Sequence, residues 1–187
     1  MTSYLQEAEM EPNHNDLLKI KAFASDVDGV MTDGGILCDL EGQLYRTFSA
    51  KDGFAIRMAT MNGFPFAVIT GGRSASIRER VKTAGVKDTD IYLGSRDTES
   101  DFMDFCSRHG LRPEEVMYFG DDVPDIGTMQ MSGMGVCPAD AAEDVLATAD
   151  FVSPFCGGKG CIRDMVERVM KAHGSWVFDS VTYKKLF

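Results

Sequence analysis

Ile20-Lys-Ala-Phe-Ala-Ser-Asp26-Val-Asp28-Gly29-Val30 is an apolar run that ends in two carboxylates and a glycine. Residues 20–25 have the length and composition of a buried strand, and Gly29 marks where that strand breaks. A chain turning there brings both carboxyl groups towards one mouth. One carboxylate can attack phosphorus and form an acyl phosphate, while a second trades a proton with the leaving or attacking oxygen. The pair therefore has the parts of a two-step transfer, and its surroundings decide whether they are used.

Outward from that strand the signals alternate. Strand patterns at 20–25, 66–70, 91–93, 116–119, 135–137 and 151–152 are separated by helical patterns at 52–61, 74–84, 98–109, 124–131, 141–148 and 161–173. Asn62-Gly63, Gly85 and Gly110 stop the first three helices. In the last one Ile162, Met165, Val166, Val169 and Met170 fall on one face, so its methionines read as core. Such alternation predicts an α/β fold, a parallel sheet with helices on both faces and ligand chemistry at the carboxyl ends of the strands. One segment breaks the rhythm: residues 35–48 alternate around Glu41-Gly42 and predict a small β-hairpin inserted after the first strand, where it can cap the site.

The 187 residues suffice for one domain with a sizeable core. We expect that domain over 18–173, a flexible leader over 1–17 and an aromatic tail over 174–187 carrying Trp176, Phe178, Tyr183 and Phe187, which folds back or docks on a neighbour. No apolar run approaches the roughly 20 residues of a membrane span, and residues 1–15 carry no signal-peptide pattern. No membrane partner is expected, and the cytoplasm is the expected compartment. A net charge of −10 argues against nucleic acid as the main partner. The five cysteines contain no Cys-x-x-Cys pair and read as reduced thiols, Cys156 and Cys161 around Gly157-Gly-Lys-Gly160 included. His109 and His173 precede Gly110 and Gly174 and read as helix C-terminal caps.

Three strand ends carry matching chemistry: Asp26-Val-Asp28, Thr70-Gly71-Gly72, and Gly120-Asp121-Asp122 with Asp125. Alone, each has a plain reading as a turn, a calcium loop or a helix cap. In order, each ending a strand, they supply what phosphoryl transfer requires: a nucleophile, donors for the transferring oxygens, and hard ligands for Mg²⁺. On this reading Asp26 and Asp121 hold the metal, with the Asp28 backbone carbonyl completing the set.

In these motifs the chain resembles the haloacid dehalogenase superfamily of aspartate-nucleophile phosphatases, over residues 19–173. Asp26-Val-Asp-Gly-Val-Met-Thr-Asp33-Gly, the hairpin, Lys51-Asp52-Gly53 and Gly157-Gly-Lys-Gly160 are similar to the capless branch that contains the 3-deoxy-octulosonate 8-phosphate phosphatases. The resemblance implies a Rossmann-like core, a sugar-acid phosphate as substrate, Mg²⁺ as cofactor, and a homotetramer whose hairpins form a barrel. It implies Asp26 as nucleophile, Asp28 as general acid then base, Thr70 as phosphoryl-oxygen donor, and Asp26, Asp28 and Asp121 around the metal. Asp122 and Asp125 then stand behind the ligands. Lys51, Asp52, Gly53, Gly71, Arg80 and Arg96 become candidates for substrate contact, although helix-start polarity and a solvated helix face also account for Lys51, Asp52 and Arg80.

One position departs from the family. Where relatives carry a lysine that bridges nucleophile and phosphate, this chain has Thr98, and no lysine occurs between Lys87 and Lys159. Arg96, Arg73 and Lys82 are the candidate substitutes. Three alternatives remain open at this point: a related nonulosonate 9-phosphate phosphatase, a binding or regulatory homologue with weakened turnover, and a receiver domain, whose acidic pair and phospho-accepting aspartate come in the opposite order.

Overall fold

The computed structural model describes residues 11–178. The chain runs α1 (His14–Leu17), β1 (Ala22–Ser25), β2 (Leu37–Cys38), β3 (Leu44–Tyr45), α2 (Ala50–Met61), β4 (Phe66–Thr70), α3 (Ala75–Thr83) and β5 (Ile91–Leu93). It continues through α4 (Thr98–His109), β6 (Val116–Phe119), α5 (Ile126–Met131), β7 (Met134–Cys137), α6 (Glu143–Leu146), β8 (Phe151–Val152) and α7 (Cys161–Ala172). Six strands form one sheet in the order β5-β4-β1-β6-β7-β8, every neighbour parallel. Strands β2 and β3 pair antiparallel as a separate hairpin.

The inner strands are buried along their whole length, as a sheet covered on both faces requires. Alternate side chains divide the core. Phe23, Phe66, Val68, Met117, Phe119 and Val136 pack with Ile56 and Met58 of α2, Ile77 of α3 and the apolar face of α7. Ala22, Ala24, Ala67, Ile69, Val116 and Tyr118 pack on the other face with Phe102 and Phe105 of α4, Met129 of α5 and Val145 of α6. Small alanines in β1 leave room for the aromatic rings of α4. Truncating a ring such as Phe23 or Phe102 to Ala would cost about 3–5 kcal/mol.

From β1 the chain steps outward through β4 to β5, then returns to β6 on the other side of β1. That reversal leaves a crevice at the carboxyl ends of β1 and β6. The Asp26 N–H donates to the Phe119 carbonyl at 3.0 Å, holding the two strands together at its floor.

Several elements differ from the sequence expectation. The ordered domain begins before residue 18: α1 is N-capped by Asn13, and Leu17 is buried in the core beside α7. A four-residue helix is too short to announce itself by periodicity. Residues 1–10 lie outside the described part. Residues 123–125 form a 3₁₀ turn ahead of α5, because Pro124 suits a first turn rather than a helix interior. In the C-terminal segment Trp176 and Phe178 pack on Phe54 of α2, at 6.2 and 6.1 Å between ring centroids, and Arg163 lies 4.7 Å over the Trp176 ring. These two residues therefore fold back on their own domain, while Tyr183 and Phe187 lie outside the described residues. The imidazole of His109 meets the buried Asp90 carboxylate at 3.1 Å, and that of His173 lies 3.3 Å from the Leu17 carbonyl. Both tie separate elements together rather than capping their own helices. The cysteines are unpaired, as expected.

Candidate active site

Asp26 follows β1, Thr70 ends β4 and Asp121 follows β6, so the crevice gathers all three strand ends. Carboxylate oxygens of Asp26, Asp121 and Asp125 lie within 4.8 Å of one another. Burial is the largest cause that lifts the Asp26 carboxyl well above the ordinary range, and the charges of Asp125, Asp121 and Asp28 add to it. Burial, then Asp125, Asp122, Asp140 and Asp28, lift Asp121 to about 7. Such a cluster fits a hard divalent cation with oxygen ligands.

The donor set distinguishes the three acids. Asp125 is already engaged: one oxygen accepts from the Tyr118 hydroxyl at 2.8 Å, the other from the backbone N–H of Asp121 at 3.1 Å and of Asp122 at 3.3 Å. Asp121 instead keeps a buried Oδ1 with no hydrogen-bond partner among the described residues. Asp121 therefore keeps an oxygen that could take a cation, whereas both oxygens of Asp125 already accept hydrogen bonds. Asp122 accepts from the Val123 N–H at 2.8 Å and opens the 3₁₀ turn.

Gly29 makes the approach possible. Its φ is +98°, and a Cβ there would stand 1.9 Å from Asp121 Oδ2. Only glycine turns the chain in this way and leaves the carboxylate its place. The Gly157-Gly158 loop closes the far side, with a Cβ on Gly157 falling 1.8 Å from the Gly29 carbonyl oxygen.

Asp28 is not one of these three acids and is paired with an arginine instead. Arg46, just past β3, donates to it from Nε at 2.5 Å and from Nη2 at 2.8 Å. The arginine side chain is 3% exposed and that of Asp28 27%. Thr70 Oγ1 accepts from the Gly72 N–H at 3.2 Å, which leaves its own proton free to donate. The loop behind it is held by Ser95 N–H to the Thr70 carbonyl at 3.0 Å and Gly94 N–H to the Gly72 carbonyl at 2.9 Å.

The haloacid dehalogenase-like hydrolase profile matches residues 101–158. The 3-deoxy-D-manno-octulosonate 8-phosphate phosphatase KdsC of Escherichia coli K12 is 33% identical over 155 residues, 83% of this chain and 81% of that protein. The chain belongs to this haloacid dehalogenase family. The crystal structure of the corresponding phosphatase from Yersinia pestis superposes with a TM-score of 0.83 at 31% identity, covering 87% of this chain and 86% of the other. That of the Moraxella catarrhalis enzyme, in complex with magnesium, phosphate and KDO, has a TM-score of 0.83 at 29% identity, covering 92% and 97%.

Against that family background, the remaining candidates separate into groups. Asp52, Gly53 and Arg80 come together where α2 meets α3. Arg80 donates to the Ser49 carbonyl at 3.3 Å and to Thr83 Oγ1 at 3.2 Å. Asp52 turns inward and accepts from the Arg163 N–H at 2.8 Å. It serves the N-terminus of α7, whose own N-cap, Gly160, has no side chain to do so. Lys51 is exposed on the first turn of α2. Gly71 lies in the loop after Thr70, near the Ser95 carbonyl. Arg96 lines an open groove with Arg78 and Tyr92. Arg73 lies along Gly94, and Lys82 stands 3.9 Å from Glu79 and 3.8 Å from Asp88. Thr98 opens α4 behind its N-cap, Asp97.

Arg46 is the residue that sequence reasoning missed. It reaches Asp28 across 18 residues through the hairpin, a contact that no local spacing encodes. The available signal was a lone arginine between Tyr45 and Phe48 on a hairpin already expected to cap the site.

Proposed function

We propose that the chain is a Mg²⁺-dependent phosphomonoesterase of a sugar-acid phosphate, first of all 3-deoxy-D-manno-octulosonate 8-phosphate, acting through an aspartyl phosphate on Asp26. The observation that carries this reading is the cluster of Asp26, Asp121 and Asp125 at the crevice, with Asp28 paired to Arg46 beside it. A carboxylate nucleophile next to a cation site, with a second carboxyl group in a different environment, is what two-step hydrolysis requires.

In the first step an Asp26 oxygen attacks phosphorus. The bond from phosphorus to the sugar oxygen breaks, its electron pair leaves with that oxygen, and Asp28 gives the oxygen a proton. In the second step Asp28 takes a proton from water as that water attacks phosphorus. The acyl-phosphate P–O bond then breaks, phosphate leaves and the Asp26 carboxylate is restored. The Thr70 hydroxyl donates to a phosphoryl oxygen throughout. Asp26, Asp121 and the Asp28 carbonyl would hold Mg²⁺, whose charge neutralises the phosphoryl oxygens and offsets the repulsion between the acids.

Assembly belongs to the same proposal. Leu37, Leu40, Leu44 and Tyr45 stand exposed on the hairpin, an apolar surface suited to other copies of the chain in a homotetramer. The expected setting is the cytoplasm; among the described residues no helix is long and apolar enough to cross a membrane.

The test is phosphate release from a panel of sugar phosphates that includes the octulosonate 8-phosphate and a nonulosonate 9-phosphate, with light scattering on the same samples. We expect the octulosonate to be preferred and Asp26→Asn to lose more than about 1,000-fold in kcat. Equal rates in wild type and Asp26→Asn would overturn the mechanism, and preference for the nonulosonate would reassign the substrate.

A further inference from the structure

We propose that Arg46 is the cation of the phosphoryl pocket: carried in by the hairpin, it donates hydrogen bonds to the transferring phosphoryl group. The inference rests on the phosphatase reading above and adds a catalytic residue to it.

The guanidinium is nearly fully buried. Nε and Nη2 are spent on Asp28, and Nη1 is buried with no partner among the described residues. A buried donor without an acceptor is costly, so a purely structural ion pair gives no reason to keep one. An arriving phosphoryl group supplies acceptors that suit the planar fork of an arginine.

Position points the same way. Nη2 and Thr70 Oγ1 both lie 3.4 Å from the point a Cβ on Gly72 would occupy. The guanidinium therefore rests against the Thr70-Gly71-Gly72 loop, beside the hydroxyl that meets the phosphoryl oxygens, and the missing side chain at Gly72 leaves it that room. The other cations near these strand ends are differently engaged: Arg73 lies along Gly94, Arg96 lines the groove with Arg78, and Lys82 faces Glu79 and Asp88. In phosphoryl transfer the negative charge spreads over three equatorial oxygens. Arg46 answers that charge from beside Asp28 and the Thr70 hydroxyl.

Two variants and one structure test this. Arg46→Gln should lower kcat by about 100-fold to 1,000-fold and weaken inhibition by tungstate, a phosphate mimic, at least tenfold. Mg²⁺ affinity, read by thermal shift, should stay within about threefold of wild type, a result that general damage to the site would not give. Arg46→Lys, which keeps the charge without the fork, should bind tungstate better than Arg46→Gln does. A crystal structure of the wild-type protein with Mg²⁺ and tungstate should place an Arg46 nitrogen within hydrogen-bond distance of the anion. Unchanged tungstate inhibition in Arg46→Gln, or an anion held without Arg46 in that structure, would overturn the proposal. Should Arg46→Gln fail to fold, the wild-type structure decides alone. Wild-type protein that releases no phosphate while Arg46 grips tungstate would instead sink the phosphatase reading, so the two failures are distinguishable.

Discussion

Asp26 and Asp28 leave the same strand end two residues apart and meet opposite fields. Asp26 faces Asp121 and Asp125, and burial with like charge drives its proton affinity up. Asp28 faces a guanidinium that grips both its oxygens. Two chemically identical groups are thus prepared for different work by what lies across from them, acids on the β6 side and an arginine on the hairpin side. The acidic half is incomplete without a cation, whereas the Asp28 half already contains its counter-charge.

The sharpest way to break this contrast is to disturb the turn that separates the halves. Gly29→Ala would push a methyl group into Asp121 Oδ2 and strain a backbone with φ of +98°. We expect Mg²⁺-dependent phosphate release to fall by about 100-fold or more, read as kcat against Mg²⁺ concentration. Wild-type Mg²⁺ dependence in this variant would show that the acids do not need the close approach.

A smaller effect compares the two aspartates directly, in protein stripped of metal by a chelator. Asp28→Asn leaves the buried Arg46 without its counter-charge. Because Asp28 is partly exposed, the loss should be about 2 kcal/mol, below the usual range for breaking a fully buried pair, which lowers the melting temperature by about 4–8 °C for a domain of this size. Asp26→Asn relieves the cost of burying an acid among other acids and should raise the melting temperature by about 2–4 °C. Shifts of the same sign by calorimetry would end the claim that the halves are electrostatically opposed.

Legibility in the sequence followed the same division. The acidic half was readable because each member ends or follows an apolar strand, and parallel topology sends all such ends to one edge. Asp26, Thr70 and Asp121 could therefore be assembled from the sequence, together with six strands whose positions were set by short apolar runs. The arginine half was not readable. Its approach to Asp28 depends on how a hairpin with strands of two residues folds over the crevice, and loop trajectories leave no periodicity. Asp52 was legible as a polar residue at a helix start but not as the cap of α7, since its partner Arg163 is 111 residues away.

The finest test is one of pH, and its sign follows from the acidic half alone. Asp26, Asp121 and Asp125 all have proton affinities raised by burial first. In the unfolded chain such carboxyls lose their protons near about 3.9, whereas folded Asp121 holds its proton to about 7. Between these values the folded state binds more protons than the unfolded, so metal-free stability should decline as pH rises through the window. Groups such as Glu115, lowered to about 2, foremost by Lys21, act in the opposite sense, but their contribution is lost only as pH falls below about 4.3. Mg²⁺ competes with the protons of the acidic cluster, and its stabilising shift in melting temperature should therefore be larger by a few degrees at pH 8 than at pH 5.5. Asp121→Asn should flatten that difference and Arg46→Gln should leave it in place, because only the first belongs to the half that the cation completes. Equal Mg²⁺ shifts at both pH values in wild type would mean that protons and metal do not compete for the crevice, and the division into two fields would lose its acidic member.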